Sequence, residues 1–565
     1  MDSSTSGRAG GLRASLLHPK LPAFLSLALL AYQIALIWVV GAPTQDGPSH
    51  AYNALVLREL LFHRGSAFRD MYALNSYPTS NWASVVLVSI SNLLGGPLHV
   101  EQAMATLLIL FLYSAMYYAQ KALSPQRALL WPGLNALLNV WMLWMGLYSF
   151  YLAMALSVFC VGYYIRHLRH LRTGHYLCIG LLMLVLYFTH PMGQVLTGVT
   201  LSVVCIWDGV WRSSRGPEEA SGDQRSHGAQ GVLRSYVPLL LSMVPGAAFL
   251  LIFLQQEKFG RPPLALSWPE LGSRLFFFPA EIFHTQGSDF SVRVDDALCA
   301  LVLLAVFASV VLWKKADWLG TQGGLFLAAI LLLGIYLITP EYSGNAAFLK
   351  ERLGWSLLVF SVVAVGASLR PRAVVSALAW FLLPFVGAQL STSALWARTA
   401  NHAREHYLPL ERMIRPGSTL LRVNYPAEQF EKKHNLTTLN YDPMLHAVSG
   451  VALRKHCLNW SNYEAVTKAF PVVYRSLSPA DKDLVGGFQD NEEQKAAGLE
   501  SFLARFPVDN VIVYGELEEP GKSPDADEDL TNDFRAALEL LNREYALVVT
   551  SGEGPVLRLY RKKKM

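Results

Sequence analysis

Asp46 and His50 stand four residues apart in the turn Thr44-Gln45-Asp46-Gly47-Pro48-Ser49-His50, directly after the uncharged apolar run Leu21–Gly41. A carboxylate and an imidazole at that spacing can share one face of a helical turn. Such a pair can orient a base or give two ligands to a divalent cation, although two ligands do not complete a metal site. The plainer reading of Asp46 is a residue that closes a turn or caps a helix.

Two further places carry groups of the same kind. His190-Pro191 separates two apolar runs, so His190 is either an imidazole satisfied by water or a second ligand or hydrogen-bond partner for Asp46. In the stretch 339–352, Arg352 opens an apolar run with Lys350 just before it. A guanidinium at that depth is costly without an anion, and its planar fork matches a phosphate, with Lys350 as a weaker helper. Snorkelling to lipid phosphates is the alternative. The loop 255–296 holds Arg261, Glu281, His284 and Asp289 among phenylalanines, which read first as interfacial anchors. No Walker A loop, nucleophile elbow, HExxH pair or Gly-rich dinucleotide fingerprint is found, which disfavours ATP-driven transport by this chain alone.

The elements that must position these groups are membrane helices. Of 565 residues, 52% are hydrophobic and only 16% charged, and the apolar residues gather in runs of membrane length. The net charge of +5 is spread over short loops, which reads as topology and not as nucleic-acid binding. Four of the five cysteines lie in apolar runs, so neither a disulfide framework nor a cysteine metal site is expected.

Leu21–Gly41 reads as a retained first helix and not as a cleaved signal, with residues 1–20 as a cytoplasmic tail. The segment 51–64 is too polar to span and suits a helix lying on the outer membrane surface. Ala83–Leu94 and Val100–Ala122 read as a down-and-up pair around Gly95-Gly96-Pro97. The stretch 128–147 is one kinked span, two short ones or a re-entrant piece. With the later runs, about 11 to 13 spans are expected in residues 21–390. Basic loops at 166–172, 212–234, 314–315 and 370–372 belong inside, which puts the loop 42–82, His190, Arg352 and everything beyond 390 outside.

Residues 391–565 read as a soluble domain of α/β or α+β type. Strands are expected at 420–424, 511–514, 546–549 and 556–560, and a helix at 532–545. Sequons at Asn435 and Asn459 matter only in a glycosylating compartment.

A first helix, an outer loop opening on an acidic motif at Asp46, an amphipathic helix, many spans and a C-terminal outer domain together resemble the GT-C superfamily of polytopic glycosyltransferases. The likeness is nearest to bacterial members related to dolichyl-phosphate-mannose mannosyltransferases and lipid A aminoarabinose transferase. The resemblance implies a polyprenyl-phosphate sugar donor, an outer-face acceptor and a divalent metal as a possible cofactor. It casts Asp46 as the catalytic or metal-placing carboxylate, Arg352 as the phosphate binder and His190 as a metal or positioning residue. Lys350 and His50 would contact substrate. The chain departs from the family where Asp46 is followed by Gly-Pro and not by a second acid, and where the turn 121–127 lacks one.

The function expected is therefore transfer of a sugar from a lipid phosphate, in the plasma membrane of a bacterium. A transporter or flippase, which would carry charges inside its spans, is the first rival, and a membrane-anchored assembly protein the second.

Overall fold

The computed structural model describes residues 20–125, 130–214, 229–256, 267–277, 280–284, 288–314, 318–340, 347–367, 372–434, 436, 441–467, 469–475, 477–488, 495–516, 528–551 and 556–563. The tail before residue 20, Arg261, Glu341, Asn345 and Asn435 lie outside them. Two compact units emerge. One takes Met1–Ile37, Thr106–Leu143 and Leu147–Ser393, and the other takes Trp38–Ala105, Trp144–Gly146 and Ala394–Met565.

Among the described residues, eight helices are long and apolar enough to cross a membrane: Leu21–Val40, Trp82–Leu123, Tyr148–His167, Pro191–Trp211, Val232–Gln255, Asp289–Val311, Thr321–Ile338 and Val375–Met413. A run of 20 residues spans about 30 Å, the thickness of the hydrocarbon core. Eight is fewer than the roughly 11 to 13 expected from apolar runs. Thr173–Thr189 is apolar but has only 17 residues, and Leu349–Gly366 opens on the charged triplet Lys350-Glu351-Arg352. Trp82–Leu123 is one helical run in which two were expected, broken by non-helical backbone at Gly96 and His99. Ser91 Oγ nevertheless lies 3.6 Å from Met104 Sδ, whereas thirteen residues of straight helix would separate them by about 20 Å. The chain therefore doubles back around Gly95-Gly96-Pro97.

Among its described residues, the ambiguous stretch 128–147 holds no helix long enough to span. It forms two five-residue helices, Pro132–Ala136 and Trp141–Met145, each about 7.5 Å long, inside a segment that is buried throughout from Pro132 to Met145. Irregular backbone at such depth needs partners, and it has them. Asn135 exchanges hydrogen bonds with Ser26, whose hydroxyl also meets Tyr113 at 2.8 Å. The Leu137 carbonyl accepts from Trp355 Nε1, the Leu138 carbonyl from the Tyr151 hydroxyl, and Asn139 donates to Ser393.

The other unit is built on a five-stranded mixed sheet. We label the strands β1 (Tyr72–Leu74), β2 (Thr419–Asn424), β3 (Leu458–Asn459), β4 (Val472–Tyr474), β5 (Asn510–Tyr514), β6 (Tyr545–Ser551) and β7 (Leu557–Lys562). The order is β3-β2-β5-β7-β6, with β3, β2 and β5 parallel and β7 antiparallel to both neighbours. β2 and β5 are buried at every position, β5 around its apolar run Val511-Ile512-Val513 and β2 with Arg422 inside it, whose guanidinium donates to the Met444 and Leu445 carbonyls. The strands and the helix expected near 532–545 are all present, the latter as Glu528–Glu544. Asn459 of the second sequon is fully buried in β3 and its amide is bonded to Ser449, so it presents no glycan acceptor.

This unit also takes in the first polar loop, so its makeup differs from a self-contained domain beginning near residue 391. β1 pairs with β4 in antiparallel register, Tyr72 opposite Tyr474, and their rings stack at 5.1 Å. The helix expected to lie on the membrane surface begins earlier, at Gly47, runs to Phe62, and is buried on nearly every side up to Leu57. That corrects the surface-helix expectation, for a physical reason. Its polar residues are matched to distant partners: His50 to Glu464, Asn53 to Asn462, and Glu59 to His456. Because the loop 42–81 packs on the C-terminal residues, both must occupy the same side of any membrane.

Candidate functional site

Asp46 is held by its backbone before its side chain does anything. The helix Leu21–Val40 stops at Gly41, whose φ of +91° no side chain readily adopts. Beyond it, the Pro43 carbonyl accepts from the Tyr441 hydroxyl, while Thr44 donates twice to Glu101, itself paired with Arg404 at 3.0 Å. The Gln45 and Asp46 N–H groups donate to the carbonyls of Trp144 and Met145, both at 3.0 Å. Gly146 follows with φ +80°, and a Cβ there would stand 2.9 Å from the Gly47 nitrogen. Gly146→Ala is expected to cost about 1–2 kcal/mol for the left-handed backbone alone. Thermal unfolding of the full chain measures this, and an unchanged midpoint would contradict the tight fit.

Asp46 takes the N-cap place of the helix Gly47–Phe62, yet its side chain makes no capping bond. The plainer sequence reading holds for its place, in a bend at the start of a helix, but not for a capping bond. The carboxylate instead meets four groups: Gln45 Nε2 at 3.4 Å, His446 Nε2 at 3.5 Å, the Tyr463 hydroxyl, and the charge of His50 one helical turn on. The His446 and Tyr463 rings stack at 4.2 Å with 18° between their planes. Burial pushes the Asp46 carboxyl up to about 6, against the opposing pull of His50 and with a smaller push from Glu464. An acid poised there can take or give a proton near neutrality.

His50 is engaged at both ring nitrogens, Nε2 with the Gly146 carbonyl at 3.0 Å and Nδ1 with Glu464 Oε1 at 2.8 Å. Although burial opposes its charge, Glu464 and Asp46 together raise its proton affinity above the usual value. Among the described residues no group of three His, Cys, Asp or Glu is placed to hold a metal ion.

His190, Lys350 and Arg352 belong to the other unit. There the N-terminal ends of three helices come together: Tyr148–His167 brings Phe150, Pro191–Ser214 follows His190, and Leu349–Gly366 brings Arg352. Arg352 Nη1 lies 3.1 Å from His190 Nε2, its guanidinium covers the Phe150 ring at 5.5 Å, and Phe150 meets His190 edge to face. Helix N-termini carry partial positive charge, so three of them beside a guanidinium favour an anion. Burial first, and then Arg352, hold the His190 imidazole neutral, well below its usual range. Its Nε2 faces the guanidinium, and its Nδ1 lies 3.2 Å from the Met192 nitrogen. Lys350 lies in the first turn of the same helix as Arg352.

Sequence reasoning missed His446, Tyr463, Glu464, Glu101 and Arg404. No spacing links them to Asp46; Glu464 is 418 residues further on, and only the packing of the loop on the C-terminal residues brings them together. The structure joins Asp46 with His50, and separately His190 with Arg352. Compared with known proteins, the chain matches no family model and no characterised sequence.

Proposed function

We propose that this chain is an integral-membrane glycosyltransferase of GT-C type, which moves a sugar from a polyprenyl-phosphate donor to an acceptor hydroxyl or amine. The observation that carries the reading is Asp46: a buried carboxyl poised near pH 6, which sits just past an apolar helix and makes no capping bond. In the step, the acceptor's O–H or N–H gives its proton to Asp46 while its lone pair bonds the anomeric carbon. The bond from that carbon to the phosphate oxygen breaks, and its electron pair leaves with the polyprenyl phosphate. A phosphate of this kind is the anion that Arg352 and the helix ends beside it, in the other unit, suit best. One carboxylate and one displacement imply inversion at the sugar. His446 and Tyr463 orient the base. The reading is tested by incubating the full chain in lipid with a labelled polyprenyl-phosphate sugar. Asp46→Asn should abolish transfer, and unchanged transfer would remove the mechanism.

One observation favours a carrier instead. Asp295 is 1% exposed within the apolar helix Asp289–Val311, and intramembrane acids mark translocation paths. A carrier would move labelled solute into sealed vesicles without cleaving the donor.

A further inference from the structure

The groups around Asp46 fall into two sets. His446, Tyr463 and Gln45 touch the carboxylate, whereas Glu464 contacts His50 and acts on the carboxylate by a smaller charge effect alone. Glu464 is fully buried, and a carboxylate removed from water needs a cation beside it. His50 stands as that cation at ion-pair distance, its proton affinity raised by Glu464 and Asp46 against the opposing effect of burial. A carbonyl oxygen can only accept, so Nε2 carries a proton toward Gly146, while Nδ1 faces a carboxylate at 2.8 Å. A ring protonated at both nitrogens is an imidazolium.

The connections converge on one short piece of backbone. The Gly146 carbonyl accepts a hydrogen bond from the His50 ring, and that of its neighbour Met145 accepts one from the Asp46 N–H. On the opposite side, the one-turn helix Tyr463–Val466 presents Tyr463 to Asp46 and Glu464 to His50. The same turn therefore sets both the phenol on the acid and the counter-ion of its neighbour.

We propose that Glu464 is a positioning residue of the Asp46 site and acts through His50, locking the imidazolium between its own carboxylate and the Gly146 carbonyl so that a fixed cation stands beside Asp46. The inference rests on Asp46 as the proton acceptor, but it makes a claim that needs no turnover. The groups facing Asp46 are His50 from the helix Gly47–Phe62, His446 from the residue before the helix Ala447–Lys455, Tyr463 and Glu464 from the one-turn helix, and Gln45 from its own loop. Asp442 stands behind Gln45, its N–H bonded to Gln45 Oε1. Of the ionised groups, His50 has the greater effect on Asp46 and Glu464 the smaller, with opposite sign.

That order fixes the direction of the test. Infrared difference spectra of the full chain in lipid bilayers, titrated with pH, report the protonated Asp46 carboxyl, which is assigned by its loss in Asp46→Asn. The wild-type midpoint is expected near pH 6. His50→Gln removes the cation and should raise the midpoint by about 1 unit. Glu464→Gln removes the anion and also releases the second proton of His50, so its midpoint should rise too, by less than in His50→Gln. An unchanged midpoint in Glu464→Gln would overturn the proposal, since a merely structural residue would lower the unfolding temperature and leave the titration alone. A downward shift would also overturn it, by showing Glu464 acting as a bare charge. If His50→Gln fails to fold, Glu464→Gln alone decides. Transfer that survives Asp46→Asn would remove the transferase reading and leave this titration result standing, so the two failures are distinguishable.

Discussion

Asp46→Asn is expected to abolish transfer while making the protein more stable above pH 6. The sign follows from linkage. A carboxyl raised from 3.8 to about 6 in the native state contributes stability that is fully present below pH 3.8 and lost as pH rises through about 6. At neutral pH the folded chain thus carries a buried anion that the unfolded chain would keep in water, a penalty of the order of 3 kcal/mol. An amide at position 46 removes it and still faces Tyr463, Gln45 and His446. The unfolding temperature of the variant should therefore exceed that of the wild type at pH 7 to 8, with the difference vanishing by about pH 4. Transfer should fall by about 10²- to 10⁴-fold, the usual contribution of a positioned general base. A gain in stability with a loss of activity separates a functional carboxylate from a structural one. A variant that unfolds earlier at every pH would contradict this account of the site.

Arg352→Gln should lower kcat by about 10²- to 10³-fold, as removal of one charge-stabilising donor does elsewhere. The donor's phosphodiester carries one negative charge, and cleavage adds a second, so the guanidinium's contribution grows in the transition state. The loss should therefore appear mainly in kcat and less in KM. Arg352→Lys should recover only part of it, because the ammonium keeps the charge but loses the flat fork and the stacking on Phe150. Steady-state kinetics with varied donor measure both. Equal kcat for wild type and Arg352→Gln would dismiss Arg352 from the chemistry.

Much of the fold is legible in the residues. Runs such as Leu21–Val40 and Thr321–Ile338 are apolar around the whole helix, a pattern with no competing explanation. Strands β2, β5 and β7 announce themselves by short β-rich runs. The stretch 128–147 does not, because a composition fit for spanning is broken by Pro132 and Gly133 and its outcome depends on partners such as Ser26 and Trp355. The helix Gly47–Phe62 misleads for the same reason: its charges and amides resemble a water-facing side until the C-terminal residues that pair with them are seen. For the site, residue type and place draw attention to Asp46, but His190 was expected to partner Asp46, whereas its contact in the structure is with Arg352. Glu464, His446 and Tyr463 could not be found that way, since no local pattern encodes a contact across some four hundred residues.

The most direct test is the pH dependence of sugar transfer from a labelled polyprenyl-phosphate donor, measured for wild type and Asp46→Asn in the same bilayers. A proton acceptor must be ionised to work, so wild-type kcat/KM should climb through about pH 6 to a plateau, with the variant at background throughout. A wild-type profile without that acidic limb, or a variant that tracks the wild type, would contradict Asp46 as the base.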